Sequence, residues 1–166
     1  MSEQLKYLAP ITTTEFLSVG FWNEVPINVV LEHPDAKLPT KNGDEFNVGI
    51  DIYTVEDDLI LFPGEGHTFH TGIRVATPPN YGFLLRERSG LGVKFDIGLG
   101  AGVIEGTYRN EWLVRLRNHG SAPVEFKKGD RICQAVLVPI IPCHITQVDS
   151  LDETQRGENG FGSSGR

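Results

Sequence analysis

Glu111-Trp112-Leu113-Val114-Arg115-Leu116-Arg117-Asn118 is the stretch that decides the fold. Trp112, Val114 and Leu116 fall on one side of an extended chain, and Arg115 and Arg117 on the other. A period of two with an apolar and a cationic face predicts a half-buried strand. On either side the same texture recurs at Ile27–Leu31, Val48–Tyr53, Leu59–Phe62, Thr68–Val75, Tyr81–Arg86 and Ile132–Ile141. The runs are separated by Lys41-Asn42-Gly43-Asp44, Pro63-Gly64, Pro78-Pro79-Asn80, Asn118-His119-Gly120 and Lys128-Gly129-Asp130, all turn-forming sequence. No segment carries a helical period over a dozen residues, and at most a short helix follows Ser89-Gly90. Many short strands with such punctuation predict an all-β, jelly-roll-like barrel or sandwich.

Composition agrees. The 166 residues suit one domain, and 19 Gly with 10 Pro argue against a helix bundle. No apolar run approaches the ~20 residues that span a bilayer, and no signal peptide opens the chain. Fifteen Lys and Arg against 22 Asp and Glu leave a formal charge of −7, which excludes a nucleic-acid polymer as partner but not a nucleotide in a locally basic pocket. Cys133 and Cys143 form no metal-ligand spacing and read as buried, reduced thiols of a cytoplasmic protein. Residues 1–26 form an N-terminal extension whose Phe16, Leu17, Phe21 and Trp22 suit packing on the domain; 27–148 form the β-domain and 149–166 a polar, glycine-rich arm.

Three stretches are too dense in glycine to be read as turns alone. Arg86-Glu87-Arg88-Ser89-Gly90-Leu91-Gly92 offers a hydroxyl, backbone amides and guanidinium groups, a plausible anion nest, although a Ser-Gly turn with surface arginines fits it as well. Gly98 to Arg109 places small residues, then Glu105 and Tyr108, on one hairpin. Apolar Val103 and Ile104 beside Glu105 suit a partly desolvated base, and an exposed hairpin carboxylate is the plainer alternative. In the tail Arg156 to Gly165, Phe161 between glycines suits stacking on a base, while Arg156 and Ser163-Ser164 suit phosphate; a disordered terminus is the alternative. No Walker loop, GxSxG elbow or Cys–His pair is present. His67 and His70, three apart in a strand, point to opposite faces, and Glu56-Asp57-Asp58 reads as a solvated turn.

Together with Gly49-Ile50-Asp51-Ile52-Tyr53 and Gly129-Asp130-Arg131-Ile132-Cys133-Gln134, these stretches fall in the order of the five motifs of the trimeric dUTPases, which the chain resembles from about Ile27 to Gly165. The resemblance implies a homotrimer with interface active sites and Mg²⁺-dependent hydrolysis of dUTP to dUMP and pyrophosphate, keeping uracil out of DNA and supplying dUMP for dTMP synthesis. By position, Glu105 would activate the water that attacks the α-phosphorus, and Tyr108 would pack on the deoxyribose and leave no room for a 2′-hydroxyl. Gly102, Val103 and Ile104, with the Leu113 backbone, would surround the uracil; Arg88, Ser89, Gly90 and Gln134 would hold phosphates. Asp51 would place the metal through water, or an arginine. Phe161 would cover the base while Arg156, Gly162, Ser163 and Ser164 close over the γ-phosphate.

The chain departs from the family in three places: Glu105 replaces the usual Asp, Thr107 a second acid, and Glu87 a proline. A Glu one methylene longer fits if Gly106 and Thr107 let the hairpin withdraw; a slower enzyme or a changed substrate are the alternatives. A dCTP deaminase-related enzyme is the alternative, although Leu113-Val114-Arg115-Leu116 supplies no acid where deamination needs one. A nucleotide-responsive regulatory protein on the same fold is another.

Overall fold

The computed structural model describes residues 24–43, 46–155 and 157. Eleven strands and one helix follow in order: β1 (Asn28–Leu31), β2 (Thr40–Lys41), β3 (Gly49–Tyr53), β4 (Leu59–Leu61), β5 (Gly66–Ala76), β6 (Tyr81–Arg86), α1 (Ser89–Phe95), β7 (Ile97–Leu99), β8 (Val103–Glu105), β9 (Glu111–Asn118), β10 (Val124–Phe126) and β11 (Arg131–Pro139). They form a four-stranded sheet β1-β5-β9-β7, a five-stranded sheet β2-β3-β11-β6-β8 and a β10-β4 pair. The architecture is a jelly-roll-type β fold with a single short helix among the described residues.

Burial along β9 alternates as the sequence requires: Trp112, Val114, Leu116 and Asn118 are buried, while Leu113, Arg115 and Arg117 are exposed. The core gathers both sheets, Ile52, Phe83 and Ile132 from one and Phe69, Ile73 and Trp112 from the other. Phe83 and Trp112 join them edge to face, ring centroids 4.9 Å apart. Burying each such side chain stabilises by roughly 1.5–3 kcal/mol, so this contact fixes the sheets against each other. At the end of β9, fully buried Asn118 donates to Leu61 O at 2.9 Å and Ala122 O at 2.8 Å and accepts from Gly120 N at 2.9 Å. A buried amide with its bonds made locks the following turn.

Three expectations need correction. Glu105 and Tyr108 do not sit on a β-hairpin. β8 pairs with β6, whereas β9 pairs with β5 and β7, so residues 106–110 cross from one sheet to the other. The apolar face of β9 belongs to the core side of the opposite sheet, which draws the chain across. The Glu56–Asp58 turn is solvated at Asp57 and Asp58 but tied down at Glu56, which accepts from His70 N at 2.8 Å and pairs with His67 at 2.5 Å, while Asp57 pairs with Lys128 at 2.8 Å on the surface. Only one of the two cysteines is buried. β11 ends at Pro139, so Cys143 stands exposed beyond it while Cys133 is enclosed within it. Burial, with the nearby Asp51 and Glu87 charges, pushes the Cys133 thiol up to about 12, which keeps it protonated and unreactive.

Candidate active site

Asp51 is the hub of the first group of site residues. It lies on β3, directly across from Gln134 on β11, which in turn faces Arg86 on β6. Cross-strand partners share a face, so Asp51, Gln134 and Arg86 form one polar row. Asp51 Oδ1 accepts from Arg88 Nε at 3.2 Å, and Oδ2 accepts from Arg131 Nη1 at 3.2 Å and from the Asn42 amide. Two guanidinium groups held on one carboxylate are costly to gather unless an acceptor is fixed first, and Asp51, 8% exposed, supplies it. Gln134 donates to Glu87 O at 3.0 Å, and its Oε1 lies 2.2 Å from where a Gly49 side chain would begin. Gly49 is therefore the space that Gln134 occupies.

Arg88 then opens α1 as its N-cap, extended at φ −77° and ψ 134°, with no side chain capping the helix. Its carbonyl accepts from Leu91 N and Gly92 N, both at 2.9 Å, so the Ser89 and Gly90 amides precede the first intrahelical bonds. Nothing lies within 4 Å of the position a Gly90 side chain would take. The space beside Gly90 is therefore open, next to the helix-opening amides and to the Arg88 guanidinium that Asp51 holds, a geometry suited to an anion. Glu87 accepts from Leu99 N at 3.2 Å and fastens β7 beside this segment.

The second group lies on β8 and the crossing that follows it. Gly102 O accepts from Leu85 N at 2.7 Å, and a side chain at Gly102 would meet Leu85 O at 2.8 Å, so the backbone runs flush along β6. Val103 projects outward, 77% exposed, and Glu105 is exposed beyond it. The apolar neighbours of Glu105 therefore do not bury its carboxylate within one chain. Tyr108 N donates to Glu105 O at 3.0 Å, and Arg109 Nη1 donates to Gly106 O at 2.5 Å and Tyr108 O at 2.9 Å. Gly106 gives no slack, contrary to expectation: its side-chain position lies 2.1 Å from Tyr81 O. Leu113, 45% exposed, lies on the outer face of β9.

Gly102 sits beside Leu85, one residue from the Asp51 row, but Glu105 lies away from that row along β6. Glu105 is level with Gly82 and Val103 with Leu84, whereas the Asp51 row crosses β6 at Arg86. At ~3.3 Å per strand residue, Gly82 and Arg86 are roughly 13 Å apart, and Arg88 lies further on. The 570 Å³ cleft lined by His70, Glu111 and Lys128, and the apolar 280 Å³ cleft lined by Trp112 and Phe83, include none of Glu105, Tyr108, Arg88 or Ser89. Arg156, Phe161, Gly162, Ser163 and Ser164, like residues 1–23, lie outside the described residues. The roles of Arg131 and Asn42 in holding Asp51 were not legible beforehand, although Arg131 stands inside one of the glycine-containing motifs.

A family-wide sequence profile described as dUTPase matches residues 35–165. The deoxyuridine 5′-triphosphate nucleotidohydrolase of Debaryomyces hansenii is 43% identical over 145 residues, covering 86% of this chain and 89% of that one. The enzyme of the same name from Clostridium tetani is 37% identical over 145 residues, covering 86% of this chain and 99% of its own. Among solved structures, the Staphylococcus bacteriophage 80alpha dUTPase with dUPNHPP superposes with a TM-score of 0.78 at 27% identity, over 85% of this chain and 99% of that one. A phage phi11 dUTPase mutant, which revealed the coordination of a structural Mg(II) ion, superposes at 0.69 with 22% identity, over 75% of this chain and 97% of its own.

Proposed function

The chain belongs to the dUTPase family, and from that premise we propose how it acts. It hydrolyses dUTP to dUMP and pyrophosphate. The observation that carries the reading is the family match over residues 35–165 in a chain that presents a carboxylate, Glu105, next to Tyr108 on a pinned turn.

Glu105 is the base that takes a proton from the water attacking the α-phosphorus; a positioned base contributes roughly 10²–10⁴-fold. Tyr108 packs on the deoxyribose, and Gly102 to Ile104 with the Leu113 backbone surround the uracil. Arg88, Ser89, Gly90 and Gln134 hold the phosphates, with Asp51 keeping the guanidinium of Arg88 in place. Phe161 covers the base, and Arg156, Gly162, Ser163 and Ser164 close over the terminal phosphate. Within that division, residues 27–148 carry the domain, 149–166 the closing arm and 1–26 an extension.

The donor chemistry at Asp51 fits a magnesium held through water. An ionised carboxylate offers about four acceptor directions. Arg88, Arg131 and Asn42 occupy three, which leaves one direction, enough for a single metal-bound water. Mg²⁺, when bound, supplies counter-charge to the triphosphate.

The separation of Glu105 and Arg88 along β6 supports a site completed by neighbouring copies, and the family resemblance makes that assembly a homotrimer. No helix among the described residues is long and apolar enough to cross a membrane. We place the enzyme in the cytoplasm, where its nucleotide substrate arises.

The test is to supply dUTP, dCTP, dTTP and UTP with Mg²⁺ and to measure pyrophosphate and ammonia. Pyrophosphate from dUTP alone is expected. Ammonia from dCTP, or tight dUTP binding without turnover, overturns the assignment.

A further inference from the structure

We propose that Glu111 is a positioning residue for the turn that carries Glu105 and Tyr108, acting through both its side chain and its backbone carbonyl. The starting point is an irregularity in β5. His70 pairs with Leu113 and Arg74 with Glu111, so four residue steps on β5 oppose two on β9. The surplus is taken up at Thr71–Ile73, where Gly72 adopts φ +64°. A side chain there would meet His33 Cβ at 2.7 Å and Val55 Cγ1 at 3.1 Å.

Such a bulge turns amide hydrogens away from the ladder, and unpaired amides in a part-buried setting are costly. Glu111 takes them. Its Oε1 accepts from Gly72 N at 2.8 Å and Thr71 N at 3.2 Å, and Oε2 contacts His70 Nδ1 at 2.8 Å. The first residue of β9 is therefore clamped at three points to the neighbouring strand. The same residue's carbonyl oxygen receives the Tyr108 hydroxyl at 3.1 Å. The phenol that packs on the sugar is thus referenced to β5 through Glu111.

Arg74 closes the circuit from the far side of the bulge. It faces Glu111 in the register, pairs with Glu32 at 2.9 Å and donates through Nε to Arg109 O. Arg109 in turn holds the carbonyls of Gly106 and Tyr108. None of Glu111, Arg74 and Arg109 needs to touch substrate for this; they set where Tyr108 and Glu105 stand.

The consequence for catalysis rests on the dUTPase reading, so the test has one arm that does not. In the first arm, amide hydrogen exchange is followed in the nucleotide-free protein. Glu111→Ala is expected to speed exchange at Tyr108 N at least about tenfold, while core amides such as those of Val114 and Leu116 keep their protection. In the second arm, the same variant is expected to lower kcat/KM for dUTP by about ten- to a hundredfold, the cost of misplacement by about 1 Å. It should also narrow the preference for dUTP over UTP, whereas Glu111→Gln, which still accepts from Gly72, restores most of both. Uniformly faster exchange, or lower stability with unchanged kcat/KM and preference, marks a merely structural residue and overturns the proposal. If Glu111→Ala does not fold, Tyr108→Phe removes only the hydroxyl bond and must show the same loosening and the same loss of preference; wild-type values there overturn it too. If the wild type does not hydrolyse dUTP, the family assignment of activity fails, and the exchange arm still decides the positioning role.

Discussion

Glu105 and Gly106 are adjacent and obey opposite constraints. The carboxylate is exposed and the glycine is buried, its missing side chain already displaced by Tyr81 O at 2.1 Å. Glu105→Gln keeps size and polarity but removes the basic oxygen. It should cut dUTP turnover by at least about 10²-fold while leaving nucleotide binding within a small factor, as read by steady-state kinetics and calorimetry. Gly106→Ala should act on stability instead. Forcing a methyl against a backbone oxygen costs about 1–3 kcal/mol or more, a Tm drop of at least about 2 °C for a domain of this size by thermal unfolding. The extra methylene of Glu105 is thus carried by a turn that cannot retreat, so its reach must be absorbed by the side chain's own rotamers.

At the scale of elements, strands with a clear alternation were legible: β6 runs from Tyr81 to Arg86 and β9 buries alternate residues. Strands β2, β7 and β10, of two or three residues, were not, because so short a run contains no period and exists only through its partner. The stretches around Asp51, Arg88 and Glu105 stood out as motifs, but their distribution did not: nothing local says that β8 and β9 belong to different sheets. Nor does the sequence around Glu111 announce a bulge forty residues earlier. That bulge has a pH signature. Burial opposes ionisation of Glu111, but the His70 contact and the Gly72 and Thr71 amides outweigh it and hold its carboxyl below the usual value of 4.5. Its contribution to stability is therefore complete above about pH 4.5 and lost as acidification passes its lower folded value. Melting curves from about pH 6 down to 3.5 should show the advantage of wild type over Glu111→Gln shrinking as the pH falls. Deleting residues 156–166 should cripple hydrolysis without lowering Tm, separating arm from domain.

For the whole molecule, the separated halves of the proposed site make a prediction about mixtures. If Glu105 of one copy serves the arginines of another, inactive Glu105→Gln and inactive Arg88→Ala proteins should regain dUTP hydrolysis when unfolded and refolded together. Activity that stays at the level of the separate variants places both groups in one chain's site. Sedimentation equilibrium should give a trimer for wild type.

The two cysteines differ in a way that bears on how the proposed closure can be observed. Cys133 is fully buried with its thiol pushed up to about 12, whereas Cys143 is exposed in the segment between β11 and the glycine-rich tail. A maleimide fluorophore offered to the native protein at neutral pH therefore has a single address. Wild-type chain, with no engineered cysteine, carries its own labelling site just ahead of the proposed arm.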